Sequence, residues 1–544
     1  MKELAVLGFS GAKGVTVEYI DEAGRGDLTT NAAMVGAKVL GMSPRELAEK
    51  LISVIEKLEG VEKVEVAGPG FINVTLKSEV LKDVTDAATK ESWGKNESLS
   101  GKRVMVEYTD PNPFKEFHIG HLMSNAIGES IARLTEYTGA ETKRANYQGD
   151  VGPHVAKAIW GIQKLELDPH DAGALGKAYT TGSKAYEEDP SAKVQIDGLN
   201  KVLYDKTDEK VNEIYAVGRE ASLAHFEELY KRLGTQFDYY FYESETAPIG
   251  IELVKQHPEV FEESDGATVY KGEQDGLHTR VFITSHGTPT YEAKDLGLLK
   301  LKADTWESDS SVYVTAQEQQ EYFKVMLAAA QKFMPELAAK AVHITHGMMR
   351  LPTGKMSSRT GDVITGESLL SELTEAARER AKESKAEDSE KLASDIAVAA
   401  IKYQILKQTI GKDIVFDKER ALSLEGDSGP YIQYAYARTQ SIQAAAKEAG
   451  VSPKVDIPAT DGERKIAMLL MRLPDVVQRA QEEYEPHHVA TYATALASLY
   501  NSWYAQERIL DSDRAGERVA LTKAVGNTLK TSLYLLGIPA PERM

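Results

Sequence analysis

Between residues 103 and 139 an apolar run, a proline-broken loop and a long amphipathic stretch follow one another without interruption, and this block limits the fold more than any other part of the chain. Residues 103–108 read as a buried strand, and 109–117 as the loop. From His118 onward Ile119, Leu122, Met123, Ala126, Ile127, Ile131 and Leu134 recur at spacings of three, four and seven. That is one face of a helix, closed by Gly139. Strand, loop and helix in this order open a doubly wound, Rossmann-type α/β domain. Further strands are expected at 279–284, 311–315 and 341–345, with a helix over 291–301 supplying the crossover that parallel strands need.

The rest of the chain is arranged around that block. Residues 1–95 read as a small α/β unit, with a helix over 42–58 started by Ser43 and Pro44 and strands at 61–66 and 71–76 around Gly68-Pro69-Gly70. A polar segment, 87–101, serves as a linker. The doubly wound domain is expected over 96–365, with a polar helical insertion at about 155–240. Beyond 365 only helical patterns remain, over 368–384, 389–408, 431–448, 464–482, 487–509 and 518–536, so 366–544 reads as an all-α domain.

The 544 residues contain no cysteine, which excludes a disulfide scaffold, a thiolate zinc site and a cysteine nucleophile. No apolar run reaches the ~18 residues of a membrane span and no signal-peptide pattern opens the chain, so a cytoplasmic protein is expected. The net charge of −19 lies wholly in the first 400 residues; from 401 to 544 eighteen basic residues balance eighteen acidic ones. A polyanion therefore meets the smallest electrostatic penalty at the C-terminal region.

Two short segments carry chemistry. His118-Ile119-Gly120-His121 falls at the first turn of the helix after the first sheet strand. Free N–H groups and the positive helix end make that place a phosphate site, Gly120 admits a close ligand, and the imidazoles can donate to a triphosphate as charge develops. His-any-Gly-His arises by chance roughly 0.02 times in a chain of this composition. The second segment, Gly354-Lys355-Met356-Ser357-Ser358-Arg359-Thr360-Gly361, is a glycine-bounded loop whose cations can close on a polyphosphate.

Together these segments resemble the HIGH and KMSKS signatures of class I aminoacyl-tRNA synthetases. The resemblance to the arginyl-tRNA synthetases is closer and covers nearly the whole chain. It is carried by Val106-Glu107-Tyr108-Thr109-Asp110-Pro111-Asn112 with Lys115, by His346-Gly347-Met348-Met349-Arg350-Leu351-Pro352, by Gly426 to Arg438, by the ending Gly537-Ile538-Pro539-Ala540-Pro541-Glu542-Arg543-Met544, and by Gly68 to Asn73. The resemblance implies an arginine-tRNA ligase that forms arginyl-adenylate from arginine and ATP and transfers arginine to the tRNA 3′ end, the first step generally needing bound tRNA.

It further implies residue roles. ATP would meet His118, Gly120, His121, Met349, Leu351, Lys355, Met356 and Ser357, with Mg²⁺ arriving on its phosphates and no dedicated protein metal site. Arginine would meet Glu107, Asp110, Asn112, Tyr291, Asp295 and Gln319, an acidic set suited to a planar cation. Whether Glu107 or Asp295 takes the guanidinium is open at this stage. The tRNA would meet Phe71 and Asn73 at its elbow and Tyr434, Arg438 and Tyr504 at its anticodon, with Tyr436 and Trp503 as further aromatics on those helices. A monomer is expected.

Three departures from the family pattern stand out. Asp110 replaces a small hydroxyl residue, Val151 stands where many relatives carry Trp, and Ser358 occupies the place of the second KMSKS lysine. Lys115, just ahead of HIGH, is expected to supply the missing charge, so the catalytic set is His118, His121, Lys355 and Lys115. The rival readings are a class I synthetase for lysine, glutamate or glutamine, and a silent paralogue that only binds RNA.

Overall fold

The computed structural model describes residues 14–20, 25–352, 364–382 and 388–544, in two compact units. The first gathers residues 1–93, 439–473 and 498–529. Its antiparallel sheet contains β1 (Val17–Tyr19), β2 (Leu28–Thr30), β3 (Val61–Ala67) and β4 (Phe71–Leu76), in the order β1-β2-β4-β3. Ile72, Val74 and Leu76 alternate inward along β4, the period of a half-buried strand. The expected helix at 42–58 is Pro44–Ile55, with Ser43 Oγ accepting from Glu46 N at 3.2 Å. Helix Asp461–Met471 adds Ala467 and Met468 to the same core, and its Arg464 pairs with Asp27 at 2.6 Å. Residues 464–482, expected as one helix, are two, Asp461–Met471 and Leu473–Glu482, because Pro474 starts a new first turn.

The second unit gathers residues 94–438, 474–497 and 530–544. At its centre lies a five-stranded, wholly parallel sheet of β5 (Arg103–Glu107), β6 (Glu141–Gln148), β7 (Tyr239–Tyr242), β11 (Ser310–Ala316) and β12 (Ala341–His346). The order is β12-β11-β5-β6-β7. Counted within the sheet this is the doubly wound order of a nucleotide-binding domain, and it reverses between β5 and β11, where such sheets open a ligand crevice at their carboxyl ends.

One expected sheet strand does not belong there. Residues 279–284 contain a strand, β10 (Arg280–Ile283), but it pairs antiparallel in a separate sheet with β9 (Ala267–Tyr270), beside β8 (Glu262–Ser264). Phe282 is fully buried, which gives the segment the apolar look of a central strand. The places at the sheet's other side go to β6 and β7.

Helices Pro153–Leu165, Ala172–Glu188, Pro190–Asp205 and Glu209–Leu233 form the insertion, packed on their own core of Ile159, Ile162, Leu175, Ile196 and Val211, which also holds Phe114. Helix Ile119–Tyr137 lies close on β5, since a Cβ at Gly128 would stand 2.2 Å from the Tyr108 ring. Glu129 on that helix is held by Arg133 at 2.6 Å, Arg144 at 3.2 Å and the Tyr108 hydroxyl. Nearby, Lys402 of helix Ser389–Leu406 is wholly buried and donates to Leu233 O at 2.8 Å. Gly537, in the left-handed region at φ 65°, leaves room for that ammonium; a Cβ there would lie 2.8 Å from Nζ. Among the described residues no helix is long and apolar enough to cross a membrane.

Candidate active site

Helix Ile119–Tyr137 begins at the carboxyl end of the sheet and delivers the two histidines together. His118 is its N-cap, and the rings of His118 and His121 stack with centroids 3.5 Å apart. His118 N donates to His121 Nδ1 at 3.2 Å, so the His121 proton resides on Nε2, a donor available to a ligand. Both imidazoles are neutral near pH 7. Burial and then Lys115 push His118 down to about 4, and burial and then His118 push His121 well below its usual value. A Cβ at Gly120 would come 3.0 Å from the His118 ring, so glycine leaves the stacked pair uncrowded.

Lys115 lies in the loop before the helix, 4.9 Å from the centroid of the Tyr179 ring, and its charge reaches His118, His121 and His154. His154 is bonded to Gly149 O at 2.7 Å and, through burial and then Lys115, is pushed down to about 3. Three cations on imidazoles beside an ammonium would repel one another. Neutral rings beside the fixed ammonium of Lys115 instead make a donor-rich site.

Lys355, Met356 and Ser357 lie outside the described residues, but both flanks of that loop meet the histidine pair. On the near side β12 ends at buried His346, which interacts electrostatically with His118 and His121. Met349, buried, is in β13 (Met349–Arg350), paired with β14 (Ile414–Val415), and Leu351 follows half-buried. Asp413 braces β13, accepting from Met348 N at 2.9 Å and pairing with Arg350 at 3.1 Å. On the far side Thr365 bridges to His118, and Gly366 N donates to Phe117 O at 2.7 Å.

At the carboxyl end of β5 stands an acidic set. Glu107 ends β5 and is buried, with Lys302 Nζ 3.0 Å from Oε2. Asp110 sits in a loop where Thr109 and Asp110 have φ of 81° and 48°, a costly conformation for residues with a side chain, held by the bond from Tyr147 N to Asp110 Oδ1 at 2.7 Å. Asn112 accepts from Gly149 N at 3.1 Å. Asp295 is buried on helix Tyr291–Thr305, hydrogen-bonded to Tyr322. Burial first, and then repulsion by Glu107, holds Asp110 and Asp295 well above the ordinary carboxylate range. Glu107 is raised by burial against the pull of Lys302. Three carboxylates against one lysine leave a charge of −2 when all are ionised. Tyr291 is exposed at the start of the helix, and Gln319 is exposed in the turn after β11.

Sequence reasoning missed several groups here. Glu243 and Lys294 form a buried pair at 2.6 Å, Tyr147 and Tyr322 face the carboxylates, and Asp150 is fully buried on Arg219, Tyr215 and Ser244. Lys302 follows Asp295 by seven residues, two helical turns, and that spacing was the available signal.

Of the residues expected to meet tRNA, Phe71 is 38% exposed at the Gly68-Pro69-Gly70 turn, and Asn73 is half-buried. Tyr434 and Arg438 are half-buried one turn apart, with Arg438 4.7 Å from the Tyr434 ring centroid and bonded to its hydroxyl at 3.0 Å. Tyr504 is 37% exposed. Tyr436 and Trp503 are buried and belong to the core, so the expectation that they offer free stacking faces is corrected; their aromatic area goes to packing.

Comparison with known proteins gives one result along the whole chain. Residues 83–418 match the family model "tRNA synthetases class I (R), catalytic domain", 432–544 the "DALR anticodon binding domain" and 3–76 the "Arginyl tRNA synthetase N terminal domain". The arginine–tRNA ligase of Fusobacterium nucleatum is 31% identical, with 95% of this chain and 93% of the relative covered. That of Borrelia turicatae is 29% identical over 93% and 91%. Among solved structures, the arginyl-tRNA synthetase of Thermus thermophilus superimposes with a TM-score of 0.81 at 28% identity, over 99% of this chain and 98% of that one. The Plasmodium falciparum arginyl-tRNA synthetase shares the fold, with a TM-score of 0.78 at 22% identity, over 99% and 97%.

Proposed function

The chain belongs to the arginyl-tRNA synthetase family, and from that premise we propose how its own residues join arginine to the 3′ end of arginine tRNA with ATP. The observation that supports the reading is the buried acidic set where the sheet reverses between β5 and β11, at the same carboxyl end of the sheet as the helix start that carries two neutral imidazoles. Arginine brings a guanidinium and an α-ammonium, two positive charges for a set whose ionised excess is −2. Its carboxylate is then directed away from the acids toward the histidines.

In the first step that carboxylate attacks the α-phosphorus of ATP in line, and the bond to pyrophosphate breaks. No side chain need act as nucleophile or base, because the carboxylate is already ionised; the protein contributes position and electrostatics. His121 donates through Nε2 and His118 through its ring to the phosphates, and the helix N-terminus adds its dipole. Met349 and Leu351 are proposed to meet ATP, as are Lys355, Met356 and Ser357. Mg²⁺ is proposed to arrive on the phosphates; among the described residues no three His, Asp or Glu side chains gather as a metal cluster. In the second step the terminal ribose hydroxyl attacks the arginyl carbonyl and AMP leaves. Phe71 and Asn73 are proposed to meet the tRNA elbow, and Tyr434, Arg438 and Tyr504 the anticodon region; a cytoplasmic monomer is the state expected.

Lys115 is proposed to take the part of the lysine that Ser358 does not supply. Lys115→Ala is expected to lower kcat of arginine- and tRNA-dependent pyrophosphate exchange about 100-fold with the arginine KM little changed, and Lys115→Arg to recover part of it. Near-normal kcat in the alanine variant would remove Lys115 from the mechanism. The activity itself is tested by charging arginine tRNA with radiolabelled arginine beside lysine and citrulline. Citrulline keeps the shape and loses the charge, so equal charging with it would defeat the reading.

A further inference from the structure

Lys302 lies in none of the motifs that mark this family in the sequence, yet it is the cation at the centre of the acidic set. It shares a face of helix Tyr291–Thr305 with Asp295, two turns earlier. Its ammonium lies 3.0 Å from Glu107 Oε2 and 3.6 Å from the centroid of the Tyr313 ring. Glu107 and Tyr313 are register partners across β5 and β11, so this one side chain spans the two strands at which the sheet reverses. Lys302 is 3% exposed and Glu107 4%. A pair buried so deeply gains little stability over apolar side chains of the same shape, and its place at the crevice calls for another explanation.

We propose that Lys302 is a positioning residue of the arginine pocket: it engages one oxygen of Glu107, keeps that carboxylate ionised among acidic neighbours, and leaves the other oxygen to the substrate's positive charge. This rests on the assignment of Glu107, Asp110 and Asp295 to arginine. The groups that face Glu107 are mostly acidic or neutral. Asp110 comes from its own loop and Asp295 from the Lys302 helix, while Tyr147 and Tyr322 add phenols. Glu243 is already taken by Lys294, and Glu292 by Arg280 at 3.5 Å. Lys302 thus carries the positive charge that acts directly on Glu107. Remove it, and burial drives Glu107 to hold a proton near neutral pH, so an incoming guanidinium or ammonium meets a neutral acid.

The sign of the pH dependence follows. A carboxyl whose pKa is raised binds a cation better as pH climbs through that pKa, so loss of Lys302 moves the rise in arginine use to higher pH. The test is arginine-dependent pyrophosphate exchange, with tRNA present, across about pH 6 to 9 for the wild type, Lys302→Met, Lys302→Gln, Lys302→Arg and Asp295→Asn. Lys302→Met is expected to raise the arginine KM about 30-fold, keep kcat and the ATP KM within about threefold, and shift the kcat/KM profile for arginine up by about one pH unit. Lys302→Arg should restore both, and Lys302→Gln serves if the methionine variant does not fold. A wild-type arginine KM and pH profile in Lys302→Met overturns the proposal, as does an equal fall in kcat/KM for arginine and for ATP that Lys302→Arg does not restore. Asp295→Asn separates the two layers. If it also leaves arginine use intact, the pocket assignment fails; if it cripples arginine use while Lys302→Met does not, only the role of Lys302 falls.

Discussion

Asp295→Asn is expected to lower kcat/KM for arginine about 1,000-fold in pyrophosphate exchange while the ATP KM stays within a few-fold of wild type. The substitution keeps the volume and the hydrogen bond with Tyr322, and removes one charge from a set that is −2 when ionised. Truncating one partner of a buried, hydrogen-bonded charge pair costs roughly 2–5 kcal/mol, which is about 30-fold to several thousand-fold. Because Asp295 and its neighbours are all raised by burial, the wild-type enzyme should also release protons when arginine binds near neutral pH, and the asparagine variant fewer. Titration calorimetry in buffers of different ionisation enthalpy reads that count. Unchanged arginine kinetics in the variant would take Asp295 out of the pocket.

The second large effect concerns stability. Burial, and then the charge of Arg133, push Lys402 down to about 7, against a smaller opposing pull from Glu129. An unfolded chain keeps a lysine protonated to about pH 10.4. The folded state therefore binds fewer protons than the unfolded one between about pH 7 and 10, and this group's contribution to stability grows with pH across that window, by up to about 1.4 kcal/mol per unit. It is fully present above the unfolded value and lost as pH falls toward 7. Lys402→Met has no such slope, so its stability relative to wild type is expected to be higher at pH 7 than at pH 10, by on the order of 4 kcal/mol. Melting temperatures of both proteins at pH 7, 8, 9 and 10 check this. A difference that stays flat would mean that Lys402 keeps its proton when buried.

What the sequence disclosed, and what it did not, follows from the range of each interaction. The HIGH helix was legible because its apolar face and its histidines lie within twenty residues, and Ser43-Pro44 announced a helix start by cap chemistry alone. Strand β6, Glu-Thr-Lys-Arg-Ala-Asn-Tyr-Gln, was passed over because its buried face includes Asn146 and Gln148, polar residues that look like surface. Strand β10 was seen but placed in the wrong sheet; a three-residue apolar run does not say which strand will share its hydrogen bonds, and these go to β9. In the site, Glu107 and Asp295 were readable from motifs. The lysine between them was not, since its meaning depends on the pairing of Glu107 with Tyr313, residues far apart along the chain.

That pairing has a consequence for biosynthesis. The strand carrying the first acid of the pocket pairs early with β6 but finds its second neighbour, β11, only about two hundred residues later, and Asp309 Oδ2 accepts from Arg103 N across a separation of 206. Contacts so distant must close a long loop before any favourable energy returns, and they slow folding. While the ribosome is still short of β11, the emerged polypeptide holds the histidines and Glu107 but no second wall, since Asp295 and Lys302 are still in the exit tunnel or not yet made. Nascent chains halted at about residue 300 should accordingly show no affinity for arginine, and affinity should appear abruptly once β11 and β12 have left the exit tunnel.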